Sequence, residues 1–191
     1  FVTDVGPVSN LLTNGFVATV EAATSQNSAG PNEVANVYID TAVEQRADAT
    51  GTGAAADAGN TFTNSGTFNI LADADANVTF GTATADAEIE DAGVRQEAYA
   101  PDAAANTYNN TGTLNVLVTA DANADSDNNG LGLSATARAN IDGAGVGQIA
   151  KDGTLLSVSY ARDARNTITN GAAGAINVLA DANAVANDGV A

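Results

Sequence analysis

Asn106–Ala124, NTYNNTGTLNVLVTADANA, decides the fold. From Leu114 onward its apolar residues fall on one parity, and Asn, Thr or Asp fall mostly on the other. Successive side chains of a strand point to opposite faces, so this period of two marks a half-buried β-strand. Asn60–Ala76, NTFTNSGTFNILADADA, and Asn166–Ala184, NTITNGAAGAINVLADANA, repeat the pattern, and Asn10–Ala23, NLLTNGFVATVEAA, is a weaker copy. The Asn/Thr/Gly cluster that opens each copy reads as a turn. The Asn-Gly pairs at Asn14, Asn129 and Asn170 predict turns with positive φ.

A second anchor follows each strand copy: IDTAVEQRA from Ile39, IEDAGVRQEA from Ile89 and IDGAGVGQIA from Ile141. The strand anchors recur after 50, 46 and 60 residues, which divides the chain into super-repeats at about 10–59, 60–105 and 106–165 with a partial one at 166–191. Self-similarity of this kind predicts a single elongated repeat domain. Shorter alternating segments of about one solenoid turn subdivide each super-repeat. They predict an all-β, parallel β-solenoid (β-helix) of roughly ten coils in about three super-repeats, a rod roughly 45–50 Å long at the sheet spacing. An antiparallel β-sandwich of long hairpins is the alternative, with Asp125–Gly130 and Lys151–Gly153 as hairpin tips.

The alternation also assigns faces. Phe68, Ile70, Ala72, Ala74 and Ala76 point inward, as do Leu114, Val116, Val118, Ala120, Ala122 and Ala124, and Ala83, Ala85, Ala87 and Ile89. Large residues at one strand end and alanines at the other predict a core that is wide on one side and narrow on the other. The recurring Gln45, Gln96 and Gln148 share one frame and read as structural.

Composition narrows the function. The 191-residue chain has no Cys, so no thiol chemistry and no disulfide is available. A net charge of −17, from 23 acidic and 6 basic residues, leaves no basic patch for nucleic acid. No apolar run is long enough to insert in a membrane as a helix. No charged and apolar leader precedes Phe1, and position 1 is not Met, as expected of a processed chain or an excised segment.

The units NSGTFNILADADA, NTGTLNVLVTADANA, AGVRQEA and AGVGQIA resemble the β-strand repeats of large bacterial secreted surface proteins, of the haemagglutinin-like and autotransporter-passenger type. The resemblance spans nearly the whole chain. It implies a secreted, extracellular or cell-surface location and a structural or adhesive role, and it implies no catalytic residue. A fibre subunit that binds copies of itself is the expected function, with a glycan- or host-binding adhesin segment as the alternative and a carbohydrate-active enzyme as a third reading.

Candidate sites follow from the same frame. No cofactor is expected: Asp73 and Asp75, with Asp86 and Glu88, offer hard oxygen ligands that suit calcium, but a solvated acidic face is the plainer reading. Asp125–Asp127 begins like a calcium loop but lacks the closing glutamate. Arg46 and Arg95 fall near each other in the frame, which predicts salt bridges to neighbouring acids. The sequons Asn77–Thr79 and Asn109–Thr111 are chance-level matches. Thr61-x-Thr63 and Thr82-x-Thr84 are isolated in the sequence, whereas ice binding would need a flat ladder of such pairs. Leu71, Leu117 and Leu179 recur on the outward parity and are expected to pack under a loop or against a laterally neighbouring chain. FVTDVGPV aligns with Glu88–Val94, placing Val2 at Ile89. That phase predicts head-to-tail pairing of Phe1–Val8, through Phe1, Val2, Val5 and Val8, with Ala180–Ala191 of a second copy.

Overall fold

The computed structural model describes residues 2–4, 8–30, 32–49, 56–125, 133–152 and 163–187. Thirteen strands are found among them: β1 (Val2–Asp4), β2 (Val8–Asn14), β3 (Val17–Ser28), β4 (Asn32–Ala49), β5 (Asp57–Asn64), β6 (Thr67–Val78), β7 (Thr82–Ala100), β8 (Ala103–Asn110), β9 (Thr113–Asp125), β10 (Ser134–Ile141), β11 (Ala144–Asp152), β12 (Asp163–Asn170) and β13 (Ala175–Asn187). Every pairing is parallel. The antiparallel sandwich is therefore excluded, and the all-β parallel solenoid is the fold.

The strands form three sheets. Sheet A runs β1-β4-β7-β10, with β11 also on β7. Sheet B runs β12-β8-β5-β2, and sheet C runs β13-β9-β6-β3. The chain visits B, C and A in turn and then climbs one level. Each coil is therefore one whole super-repeat: Asn10 pairs with Asn60, Asn60 with Asn106 and Asn106 with Asn166. The shorter alternating segments are faces of the coil. This corrects the expectation of roughly ten coils; four stacked levels stand about 15–20 Å tall at about 4.8 Å per level. The reason is geometric. A segment of 8 to 19 residues, such as β5, β6 or β7, is used up in crossing one face. At about 3.3 Å per residue the three faces are roughly 25, 40 and 60 Å wide.

Parity holds on the strands as read. In β6 the residues from Phe68 to Val78 alternate buried and half-buried without a break. Sheet A bends where β7 inserts one residue relative to β4: Ile39 pairs with Ile89, but Thr41 pairs with Ala92. Inward parity switches there, from Ile89 to Ala92 and Val94. One level up, the same place breaks the strand into β10 and β11.

The core is narrow at both ends, which refines the one-sided taper. Ala72, Ala74 and Ala76 of sheet C join Ala83, Ala85 and Ala87 of sheet A in one arm of the main cluster. At the other end, Ala47, Ala49, Ala98 and Ala100 of sheet A meet Val8, Ala58 and Ala104 of sheet B. The bulk sits in the middle: Phe62, Phe68, Ile70, Ile89, Tyr108 and Leu114. Phe62 meets Phe68 and Tyr108 edge-on, at centroid distances of 5.7 and 5.3 Å, a favoured aromatic geometry.

Turn chemistry departs from expectation. Among the described residues the one glycine with positive φ is Gly81, at 103°. Gly15 and Gly171, after Asn14 and Asn170, do not adopt it; Asn129–Gly130 lies outside the described residues. The B–C corners need glycine for clearance instead. A Cβ on Gly66 would overlap the backbone of Phe16, and one on Gly112 would overlap the backbone of Gly66. Gly112→Ala is expected to destabilise the fold by about 1–3 kcal/mol, the usual cost of overpacking, measured by urea unfolding. Gly59→Ala, whose Cβ would find its nearest neighbour at 3.7 Å, is the control and should change little.

Candidate functional site

Three columns of amides line the sheet corners. Asn10 donates to Asn60 at 2.9 Å, Asn60 to Asn106 at 2.9 Å and Asn106 to Asn166 at 3.0 Å. Asn14, Asn64, Asn110 and Asn170 form a second column with 2.8 Å steps. Gln148 donates to Gln96 at 2.7 Å and Gln96 to Gln45 at 2.8 Å. The same side chains tie sheets together. Asn60 also donates to the Glu97 carbonyl at 2.7 Å, joining B to A. Gln96 reaches the Thr107 carbonyl at 3.1 Å, joining A to the next level of B. Asn64 reaches the Thr113 carbonyl at 3.0 Å, joining B to the next level of C.

Asn60, Asn64, Asn106, Asn110 and Gln96 are fully buried. Sequence reading placed the asparagines in turns and missed this. The signal was present: Asn60, Phe62 and Asn64 share one parity, as do Asn106, Tyr108 and Asn110. A buried amide without partners is costly, and these are satisfied because each stacks on its own kind.

At both ends of the described stack the same columns lie open. Leu12, Phe62, Tyr108 and Ile168 occupy one inward column; Phe62 and Tyr108 are fully buried, while Leu12 is 37% and Ile168 51% exposed. In the next column Ile70 and Val116 are buried and Val178 is 50% exposed. Phe16, 84% exposed, stands at the corner position that Gly66 and Gly112 occupy one and two levels up.

The predicted self-assembly residues fall in different places. Phe1 and Val5 lie outside the described residues. Val2 pairs with Ala47, which pairs with Ala98, so it holds the place of Ala98 and not that of Ile89. Val8 is buried in the small alanine cluster and is part of its own core. Leu71, Leu117 and Leu179 stack in register on the outer face of sheet C. The first two are half-buried and Leu179 is 55% exposed at the end of the row. With Asn69, Asn115, Asn177 and Thr19 they line a groove of about 360 Å³. No loop covers it among the described residues.

The acidic candidates divide into two separate pairs. Asp73 and Asp75 lie on the outer face of sheet C and Asp86 and Glu88 on sheet A. Among the described residues no three acidic side chains converge on a point that could hold a metal. Thr119 donates to Asp73, Tyr38 to Asp86 at 3.5 Å, and Asn140 to Glu88 at 3.1 Å. Of the Asp125–Gly130 loop, only Asp125 is described. Arg46 and Arg95 converge on Glu97, which is 3% exposed: Arg95 donates to Glu97 and to Asp91, and Arg46 lies 3.6 Å from Glu97. Both guanidiniums are held in ion pairs, as expected from the frame.

Two titrations follow from burial. Tyr108 has its hydroxyl in the core without a hydrogen-bond partner, and desolvation pushes its pKa to about 12. The Asp75 carboxyl is raised from its ordinary value by desolvation, then by the charges of Asp73 and Asp121. A carboxyl with a raised folded pKa binds protons more tightly in the folded state. Its unfavourable contribution is therefore present above that pKa and fades as pH falls through it. Asp75→Asn is expected to raise Tm at pH 7 and to flatten the gain seen on mild acidification. Asn106→Ala should cost about 2–4 kcal/mol, since it strands buried partners at Asn60 and the Ile149 carbonyl. Tyr108→Phe should be neutral or stabilising by about 1 kcal/mol; both are read by urea denaturation. The chain matches no known protein family, no curated protein and no solved structure.

Proposed function

We propose that the chain is a structural module of an extracellular β-helical fibre, in which copies stack head to tail through the open faces of the solenoid. One observation carries this reading. The two ends of the described stack display the same columns, in the same register, uncovered. Placing β2 of one copy on β12 of another sets Asn10 over Asn166, Leu12 over Ile168 and Asn14 over Asn170. Placing β3 on β13 sets Val20 over Val178. Exposed core residues are then covered and open strand edges are paired.

This arrangement replaces the pairing of Phe1–Val8 with Ala180–Ala191. Val2–Asp4 belongs to sheet A and Ala180–Asn187 to sheet C, so the two segments do not share a sheet in a continued stack. Phe16 must find room in the joint, because glycine clears the inner corners. The corner at the far end, Gly171–Gly174, has two residues more than the corner at Thr111–Gly112, and it receives the ring. The resemblance to repeats of bacterial surface proteins supports the extracellular setting, and the net charge of −17 keeps the sides of such fibres apart.

Electron microscopy and sedimentation of the purified chain test the reading. Concentration-dependent filaments with a meridional spacing of about 4.8 Å are expected. Asn166→Asp with Asn170→Asp keeps the acceptors for Asn106 and Asn110 but removes the outward donors. It should raise the dissociation constant for stacking about tenfold or more, with the circular dichroism of the subunit unchanged. A chain that stays monomeric at every concentration sinks the proposal.

A further inference from the structure

The outward side of sheet B holds a pattern that the sequence does not reveal. With a coil of about fifty residues, Thr61-x-Thr63 and Thr167-x-Thr169 fall into register two levels apart on sheet B, whereas Thr82-x-Thr84 lies on sheet A. Thr61, Thr107 and Thr167 form one row, continued by Leu11. Thr13, Thr63, Asn109 and Thr169 form the next. The rows lie about 6.6 Å apart along the strands, and their members are about 4.8 Å apart between levels. None of the eight positions carries a charge, on a chain with 23 acidic residues. Among the described residues none of the six threonine hydroxyls has a hydrogen-bond partner. Two threonines on the other sheets, Thr41 and Thr119, donate instead to carboxylates: Thr41 to Asp91 at 3.3 Å and Thr119 to Asp73.

We propose that this face binds the surface of crystalline water. The argument is one of complementarity. A neutral face with free hydroxyls and methyls on a fixed two-dimensional grid offers nothing to an ion or to a charged protein surface. It suits a neutral lattice of hydrogen-bond donors and acceptors. Each threonine contributes little, so adhesion needs many contacts made at once by a template that loses no freedom on binding. The template here is held from behind. Gln45, Gln96 and Gln148 donate to the carbonyls of Thr61, Thr107 and Thr167 at 3.2, 3.1 and 3.1 Å. The Asn64–Asn110 column fixes the corner beside it. Crystalline polysaccharide, the other periodic neutral surface, calls for aromatic platforms, and no aromatic side chain stands on these two rows.

The test is nanolitre osmometry on the purified chain. Ice crystals with flat facets and a freezing point depressed below the melting point are expected. Thr107→Lys and Thr63→Lys, one in each row, should each return both readings to the buffer value, with circular dichroism confirming the fold. Asn123→Lys, the same charge placed on sheet C, should leave them unchanged. A wild-type chain that neither shapes ice nor depresses its freezing overturns the proposal. So does a folded Thr107→Lys or Thr63→Lys variant that matches the wild type. Sedimentation with insoluble cellulose or chitin that is lost in Thr107→Lys, without any effect on ice, overturns it as well and assigns the face to a polysaccharide.

Discussion

A buried primary amide must be matched donor for donor and acceptor for acceptor, and here the match for each is the same residue one level away. That constraint governs the rest of the structure. A one-residue slip would turn every inward asparagine outward and leave its neighbours unpaired. Hydrophobic contacts among alanines could not enforce this, since one methyl group packs as well against the next. The columns beginning at Asn10, Asn14 and Gln45 supply the register that an alanine-lined core lacks. They also brace the corners, because the second amide hydrogen goes to the backbone of an adjoining sheet. Coils of different length are thereby held in one frame. The third coil, the longest in sequence, still pairs with its neighbours through β8, β9, β10 and β11.

Much of the fold was legible. Alternation gave the strands and their inward faces, and the recurrence of Asn60, Asn106 and Asn166 gave the unit. The size of one coil was misjudged because each face alternates by itself, and alternation says nothing about which segments stack. The stacking partner is shown by the spacing at which side-chain identity repeats, and Gln45, Gln96 and Gln148 carried that spacing plainly. The inward asparagines were masked by their company. Asn beside Thr and Gly is the composition of a turn, and only parity with Phe62 and Tyr108 separates a ladder residue from a turn former. The phase of the first strand was misread for a related reason. Val2 and Asp4 matched Ile89 and Asp91 by type, but sheet A is long enough to hold two similar apolar–acid alternations, one on each side of its bend. The outer threonine rows were invisible for the opposite reason, since no local sequence feature marks them as neighbours.

The thin core has its own logic. Broad faces joined at narrow corners enclose little volume, and alanine is the side chain that lets two sheets approach closely at the edges. Stability then depends on the continuity of the backbone ladders and on the aromatic centre around Phe62, Phe68 and Tyr108. The unpartnered Tyr108 hydroxyl is a polar atom carried into this aromatic centre without compensation.

The columns also have an electrical sense. The two asparagine columns of sheet B donate toward later coils, whereas the Gln45 column, and the Asn69–Asn115–Asn177 row on sheet C, donate toward earlier ones. Two strings of aligned amide dipoles therefore run up the stack and two run down. In an α-helix such dipoles add along the axis; here they oppose one another and largely cancel. However tall the stack becomes, its two ends acquire little opposite polarity from these rows. In the proposed fibre, short-range fit at the joint would then govern growth, free of any field that lengthens with the rod.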